Sequence, residues 1–326
     1  MSGADGTLGW LAAQALVAVL GLVHAAAAYF YFSKARRAWA WAAAWLLFTM
    51  LSVALLRWQP WVVAGVFGVA LAAWTWWWRS IEPSVAHHWV TENARQATAQ
   101  VIDDALVVRD LRNFDWLSGR EGVPRWEARR YPLGELSALD LFVSTWGDPR
   151  VAHLIVSFVF GERPPLAFSI ETRRETNEHW SMLAGFMRSY ELLLVAADER
   201  DVIRVRSNFR GEDVRRYRLK SSPQMRRKLL ELYVAEMNAL ASRPRFYNTL
   251  IRNCTTEVVR ILRAAGRPVP ADWRLIASGL VPNYLHELGL LEDTRPFPQV
   301  FAAADIVPAA KQADEDPEFW RRIRAP

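Results

Sequence analysis

The segment Phe246–Thr256 (FYNTLIRNCTT) contains the single cysteine of the chain, Cys254, among residues that can activate a thiol. Asn253 is a favourable helix N-cap residue, and the apolar spacing after it predicts an amphipathic helix that begins at Cys254. In a first helical turn, unpaired backbone N–H groups and the helix dipole stabilise an anion. The pKa of the thiol should therefore fall, which favours the nucleophilic thiolate. The alternative is a small buried apolar residue, which the polar neighbours Thr255 and Thr256 disfavour.

A thiol nucleophile needs a base, and His153 lies in a run of apolar residues that predicts a strand, where an imidazole would be held rigidly. Glu171 lies in the next predicted strand. If the two strands pair through a turn at Gly161–Pro165, Glu171 would lie near His153 and orient its second ring nitrogen. The pattern by itself favours plainer roles, namely a hydrogen-bonded core histidine and a salt bridge from Glu171 to Arg173 or Arg206.

Charged side chains are dense at 171–175 and 198–206. Ion-pair networks that stabilise loops are the favoured interpretation, and an arginine cluster that binds a phosphate headgroup is the functional alternative. On that alternative Arg173 and Arg206 are candidate substrate-binding residues, together with Asn253 and Thr255 beside the thiol. The sequence indicates no metal and no organic cofactor, and one cysteine excludes both an internal disulfide and a cysteine-based zinc cluster.

The residues around these candidates predict an α+β domain with an antiparallel sheet and packed helices. Turn residues separate short runs rich in β-branched and aromatic side chains, and helical periodicity follows them. The predicted strands are Ala105–Arg109, Ala138–Trp146, Ala152–Phe160, Leu166–Thr172, Tyr190–Ala196 and Val214–Leu219. The predicted helices are Ser222–Ala241, one from Cys254 to Gly266 and a short final one near Glu318–Ile323, in an otherwise irregular tail.

The N-terminal third has the composition of a membrane anchor. Between Thr7 and Trp78 the only charged residues are Lys34, Arg36, Arg37 and Arg57. Three apolar segments in this region approach or exceed the ~18–20 residues needed to cross a bilayer, and the third ends in a tryptophan triplet typical of the headgroup level. They are Thr7–Phe32, Ala38–Leu56 and Trp61–Trp78.

The predicted organisation is an anchor of three transmembrane helices over 1–80, a linker over 81–100, a soluble domain over 101–295 and a C-terminal extension over 296–326. The net charge of +6 invites a nucleic-acid interpretation. The basic residues are dispersed among acidic ones without a helix-turn-helix or zinc spacing, so a membrane surface is the better predicted partner and nucleic acid is not expected.

Three blocks, Val151–Glu175, Asp198–Asn208 and Phe246–Thr256, resemble the Lnb N-terminal periplasmic domain family, over a stretch from about Asn113 to about Ala265. The family is named for a bacterial lipoprotein N-acyltransferase, so the resemblance implies a membrane-bound protein with a periplasmic domain. In this sequence all predicted spans precede the domain, whereas the full acyltransferase has a further membrane region after it.

The order of a histidine strand, a polar or acidic residue and Asn-Cys at a helix start is also similar to circularly permuted papain-like thiol enzymes, the group of lecithin:retinol acyltransferase. This similarity implies a permuted papain-like fold, with Cys254 as nucleophile and His153 as base. It implies Glu171 as the third member of the site.

Three functions follow as hypotheses. The first is a thiol acyltransferase that acts on phospholipid or lipoprotein through a Cys254 thioester. The second is an envelope cysteine peptidase or amidase that uses the same site. The third is a non-catalytic, membrane-tethered binding module in which Cys254 is structural.

Two arguments about topology disagree. The basic loop Lys34–Arg37 would share a side of the membrane with the domain, and the positive-inside rule then favours the cytoplasm. The resemblance implies the periplasm, with the helices in a bacterial inner membrane. We follow the resemblance, because a few charges decide topology weakly and the similarity spans most of the soluble region.

Overall fold

The computed structural model describes residues 2–31, 38–83, 88–176 and 178–325, with side chains from residue 8 onward. The basic loop Lys34–Arg37 lies outside the described residues. The chain divides into two compact units. One contains the N-terminal helices and the segment Asn177–Glu191, and the other contains His87–Thr176 and Leu192–Pro326.

Within the described residues, three helices are long and apolar enough to cross a bilayer, as the sequence predicts. They are α1 (Ser2–Tyr31), α2 (Ala38–Leu55) and α3 (Pro60–Ser80). Most of their large apolar side chains are exposed, as expected for helices whose solvent is lipid. Helix α3 begins with a proline at its first position, where the missing N–H costs no hydrogen bond.

Helices α1 and α2 approach closely at a glycine. A Cβ atom placed on Gly21 would lie 2.2 Å from the side chain of Thr49, so only glycine permits this spacing. The Thr49 hydroxyl donates to the carbonyl of Trp45 in its own helix at 2.8 Å, which satisfies the polar group inside the bundle. A small residue facing a self-satisfied hydroxyl is a common arrangement between membrane helices.

The second unit is built on a mixed sheet. Its main strands follow the order β1-β2-β9-β8-β7-β6-β10, β5 pairs with β2, and β3 and β4 form a separate pair. The strands are β1 (Thr98–Ile102), β2 (Ala105–Arg112), β3 (Asp115–Trp116), β4 (Gly122–Val123), β5 (Trp126–Pro132), β6 (Leu136–Thr145), β7 (Ala152–Phe160), β8 (Arg163–Arg173), β9 (Glu191–Ala197) and β10 (Asp213–Arg218).

The predicted antiparallel meander is present at β6, β7 and β8. The sheet as a whole is not purely antiparallel, because β2 and β9 run parallel, with Arg112 opposite Ala197. These strands are far apart in the sequence, and local strand patterns carry no information on such a pairing. The fold is therefore α+β with a mixed sheet.

The helices of this unit are α4 (Glu199–Val202), α5 (Pro223–Ser242), α6 (Cys254–Ala264), α7 (Val281–Glu287), α8 (Phe297–Ala303), α9 (Val307–Gln312) and α10 (Phe319–Arg322). Helix α5 begins where the sequence predicts, with the Ser222 hydroxyl accepting from the N–H of Met225 at 3.2 Å. The largest of the buried apolar clusters contains side chains of α5, α6 and one face of β6, β7 and β8.

The C-terminal segment is more ordered than the sequence predicts, since α8 and α9 precede the short final helix. Its end is held by a buried ion cluster. The Arg324 guanidinium donates to Asp140 at 2.9 Å and to Glu199 at 2.6 Å, and both carboxylates are fully buried. An unpaired buried carboxylate is unfavourable, so Arg324 stabilises both acids, and Arg218 also pairs with Asp140 at 2.6 Å. The sequence does not predict α8 and α9 because short helices in a polar segment leave little local pattern. The distant ion pair helps to fix this segment in the structure.

Candidate active site

The site begins at the N-terminus of α6. The side-chain oxygen of Asn253 accepts from the backbone N–H groups of Thr255 and Thr256, both at 2.9 Å. In return the Thr256 hydroxyl accepts from the Asn253 N–H at 2.8 Å, which completes a capping box. The predicted N-cap is confirmed, and Cys254 is the first residue of the helix.

The pairing of β7 and β8 brings the acid to the histidine. The ladder runs from Phe160 opposite Arg163 to Ile155 opposite Ser169. Extending this register by two residues places His153 opposite Glu171, on the same side of the sheet. The strands therefore pair through a turn near Gly161, as predicted from the sequence.

His153 contacts the carboxylate both directly and through a serine. Its Nε2 atom lies 2.7 Å from the Ser169 hydroxyl oxygen, which donates to a Glu171 carboxylate oxygen at 2.6 Å. The direct distance from Nε2 to that carboxylate oxygen is 3.3 Å. Because Nε2 faces Ser169 and Glu171, Nδ1 is the ring nitrogen left for the thiol. Ser169 is fully buried and was not predicted as a site residue.

The Cys254 thiol lies against the first residues of β7, beside the His153 imidazole. Its sulfur is 3.9 Å from the carbonyl oxygen of Ala152. Cys254 as a residue is partly exposed. The structure thus brings together Cys254, His153 and Glu171, the three residues proposed as catalytic from the sequence.

The electrostatics favour a thiolate–imidazolium pair. Burial and the Arg206 charge oppose the imidazolium, but Glu171 and Cys254 overcome both and raise the pKa of His153 to about 9. Burial opposes the thiolate, yet the charge and hydrogen bond of His153 lower the pKa of Cys254, with help from the Leu154 backbone and the Thr255 side chain. Each partner stabilises the charged form of the other, as in activated cysteine sites.

Arg206 continues the charge alternation behind Glu171. One terminal nitrogen of its guanidinium lies 3.1 Å from Glu171 and the other lies 3.1 Å from Glu212, whose carboxylate accepts from the Ser144 hydroxyl. Arg206 extends from a π-helical turn, Val205–Phe209. Such turns are rare and are often found at functional sites. Burial opposes the ionised form of Glu171, but the charges of His153 and Arg206 outweigh it and hold the pKa of Glu171 well below its ordinary value.

The four predicted substrate-binding residues have different surroundings. Thr255 is buried beside the thiol, and the Asn253 amide is engaged in the cap and in a bond to the Thr249 carbonyl at 2.6 Å. Arg173 donates to the carbonyls of Asn93 and Ala94. Arg173 and Arg206 are more than nine-tenths buried, which agrees with the structural interpretation. Headgroup binding by these residues stays a prediction.

Ser278 is a further residue that sequence reasoning missed. Its hydroxyl accepts from the Ala152 N–H at 2.7 Å and donates to the Ala152 carbonyl at 2.8 Å, immediately before His153. The next residue, Gly279, lies so close to β7 that an added Cβ would be 1.9 Å from the Pro149 carbonyl oxygen. Segment 278–279 therefore supports the strand end that carries His153. Apart from the glycine, no local pattern marks it.

Among the residues that the structure describes, no group of three or more His, Cys, Asp or Glu side chains is arranged to hold a metal ion. The polar groups around Cys254 are instead paired with one another. Their arrangement suits proton transfer between a sulfur and an imidazole, which requires near contact between the two groups.

We expect Cys254 to react with iodoacetamide at neutral pH several-fold to about tenfold faster than an ordinary thiol, whose pKa is about 8.5. The lowered pKa of Cys254 keeps the thiolate populated as the pH falls below that value, and His153 stays protonated up to about pH 9. The alkylation rate should therefore change little between neutral pH and pH 8.5. A rate that rises about fifteenfold from pH 7 to pH 8.5, as for a thiol with a pKa of about 8.5, would contradict the ion pair.

Residues 123–279, just under half of the chain, match the family model of the Lnb N-terminal periplasmic domain. No curated protein and no solved structure matches the chain. The matched range contains all the residues of the Cys254 site, from Ser144 to Ser278. The resemblance predicted from the sequence is confirmed, since the region that carries the Cys254 site matches the model of the Lnb N-terminal periplasmic domain.

Proposed function

We propose that this protein is a membrane-anchored thiol acyltransferase that acts on lipid or lipoprotein. The observation that carries the proposal is the position of Cys254, at the start of α6, beside His153, whose Nε2 atom contacts Ser169 and Glu171. This is the arrangement of an activated nucleophile, its base and an orienting acid.

In the first half-reaction the Cys254 thiolate attacks the carbonyl carbon of an ester or amide and forms a carbon–sulfur bond. The tetrahedral intermediate then expels the alcohol or amine, which takes the proton that His153 holds. The products are a Cys254 thioester and the free leaving group. Glu171 remains ionised throughout and stabilises the imidazolium.

In the second half-reaction neutral His153 removes a proton from the acceptor, which is an amine, an alcohol or water. The acceptor attacks the thioester carbonyl, and the bond to Cys254 breaks with the sulfur leaving as a thiolate. His153 is then protonated again, and the ion pair of the resting site is restored. Acyl transfer to water would make the protein a hydrolase, so the acceptor distinguishes the first hypothesis from the second.

Incubation of the purified full chain with phospholipid vesicles should leave an acyl adduct on the wild type and none on Cys254→Ala. Because the chain has one cysteine, an adduct that hydroxylamine removes at neutral pH identifies a Cys254 thioester. Intact-protein mass spectrometry before and after hydroxylamine measures it. Fast alkylation of Cys254 without a lipid adduct would favour the envelope peptidase or amidase. Alkylation no faster than an ordinary thiol, unchanged by His153→Ala, would favour the binding module.

We also propose that the domain lies in the periplasm, with the three helices in the bacterial inner membrane. The family match supports this side, and the basic loop Lys34–Arg37 opposes it. An alkaline phosphatase fused after Pro326 should be active, and a fluorescent protein fused there should be dark, because each folds on one side of the membrane only. The reverse pair of results would place the domain in the cytoplasm.

A further inference from the structure

The turn that precedes Cys254 is rigid and carries two exposed aliphatic side chains. Asn248 and Arg252 exchange two backbone hydrogen bonds of 3.0 Å, and the Asn248 side chain accepts from the N–H groups of Leu250 and Ile251. The tip is therefore held in one conformation. Even so, Leu250 is 54% exposed and Ile251 is 75% exposed.

A second exposed apolar pair belongs to the segment that supports β7. Trp273 is 65% exposed and Ile276 is 78% exposed, although Leu275 between them packs against the core. Ile276 is two residues before Ser278, whose hydroxyl bonds Ala152. The Cys254 sulfur contacts the same Ala152 carbonyl. Both segments therefore converge on the strand end that holds the thiol and His153.

We call these four side chains, Leu250, Ile251, Trp273 and Ile276, the apolar rim. Single exposed apolar residues are common on soluble proteins, but a group beside a reactive side chain marks an interaction surface. Transfer of each such side chain out of water is favourable. The turn is already ordered, so binding through it costs little conformational entropy.

We propose that the apolar rim contacts the lipid bilayer, with these side chains inserted at the boundary between headgroups and acyl chains. A bilayer is the expected partner of the apolar rim, because the same polypeptide carries three helices able to cross a bilayer. Tryptophan beside aliphatic residues is also typical of interfacial segments. The contact would bring Cys254 to the depth of lipid ester groups, so the inference extends the proposed function without depending on catalysis.

Cys254→Ser gives a chain without cysteine, in which a single probe can be placed. In this background Ile251→Cys is labelled with nitrobenzoxadiazole, and the full chain is placed in lipid nanodiscs with or without doxyl-labelled phosphatidylcholine. We expect doxyl lipid to quench the probe at position 251 at least twofold. The matched control is Leu117→Cys, a leucine that is 67% exposed in a turn between two short strands. Its probe should be quenched little.

Equal quenching at positions 251 and 117 would overturn the proposal. So would a blue-shifted probe at position 251 that doxyl lipid does not quench, because a protein surface would then cover the rim. A second measurement uses Ile251→Asp with Ile276→Asp against Leu117→Asp, in chains that retain Cys254. The rim variant should lose about tenfold in lipid-adduct rate while its iodoacetamide rate stays at the wild-type value. If the wild type forms no adduct but the probe at position 251 is quenched, the acyltransferase fails and the bilayer contact stands.

Discussion

Replacing His153 by alanine should lower the rate of lipid-adduct formation on Cys254 by about a hundredfold to ten-thousandfold, the range that a positioned general acid–base contributes. The variant loses two effects at once. Without the imidazolium the pKa of Cys254 rises, because His153 is the main group that lowers it. The leaving group also loses its proton donor. Timed mass spectrometry of the adduct with phospholipid vesicles measures the rate.

The matched control is His286→Ala, which removes a histidine of α7 whose ring nitrogen bonds the Arg295 carbonyl at 2.8 Å. That variant should keep the wild-type rate. The rate of adduct formation by Glu171→Gln should lie between those of His153→Ala and His286→Ala. The glutamine keeps the hydrogen bonds but not the charge that raises the pKa of His153. Adduct formation that is unaffected by His153→Ala would remove His153 from the mechanism and leave Cys254 without an identified base.

Replacing Arg206 by methionine should lower the free energy of unfolding by about 3 kcal/mol, which is the low end of the cost of breaking a buried ion pair. Methionine keeps the apolar volume but leaves Glu171 and Glu212 without their shared cation. For a domain of this size the loss corresponds to a fall in melting temperature of roughly 6–12 °C. Thermal unfolding of the detergent-solubilised full chain, followed by tryptophan fluorescence, measures it.

The pH dependence of this loss has a definite sign. Arg206 lowers the pKa of both Glu171 and Glu212, so its contribution is present above the ordinary glutamate pKa and is lost as the pH falls through the lowered values. The difference in the free energy of unfolding between wild type and Arg206→Met should therefore be largest near neutral pH. It should become smaller toward pH 4. Arg295→Met is the control, because its ion pair with Asp293 is exposed and screened by solvent, so its loss should change the free energy of unfolding little. Equal losses of stability in Arg206→Met and Arg295→Met would show that Arg206 stabilises the protein no more than an exposed ion pair does.

Short-range features of this protein were readable from its sequence. The membrane helices are recognisable because lipid requires apolar residues on every helix face over a fixed length. The start of α6 at Cys254 is recognisable because Asn253 and Thr256 satisfy backbone groups within four residues of each other. Strands β7 and β8 are likewise recognisable, from dense β-branched and aromatic residues bounded by turns.

Only the tertiary structure decided how these elements form a site. The register of β7 against β8 places Glu171 at His153, while the π-helical turn buries Arg206 behind Glu171. Ser278, 126 residues from Ala152, supports the strand end. The parallel pairing of β2 with β9 and the burial of Arg324 between Asp140 and Glu199 depend on similarly distant partners. A side chain of one type is stabilised or destabilised by the charges and solvent around it, and those are set by contacts that sequence spacing does not encode.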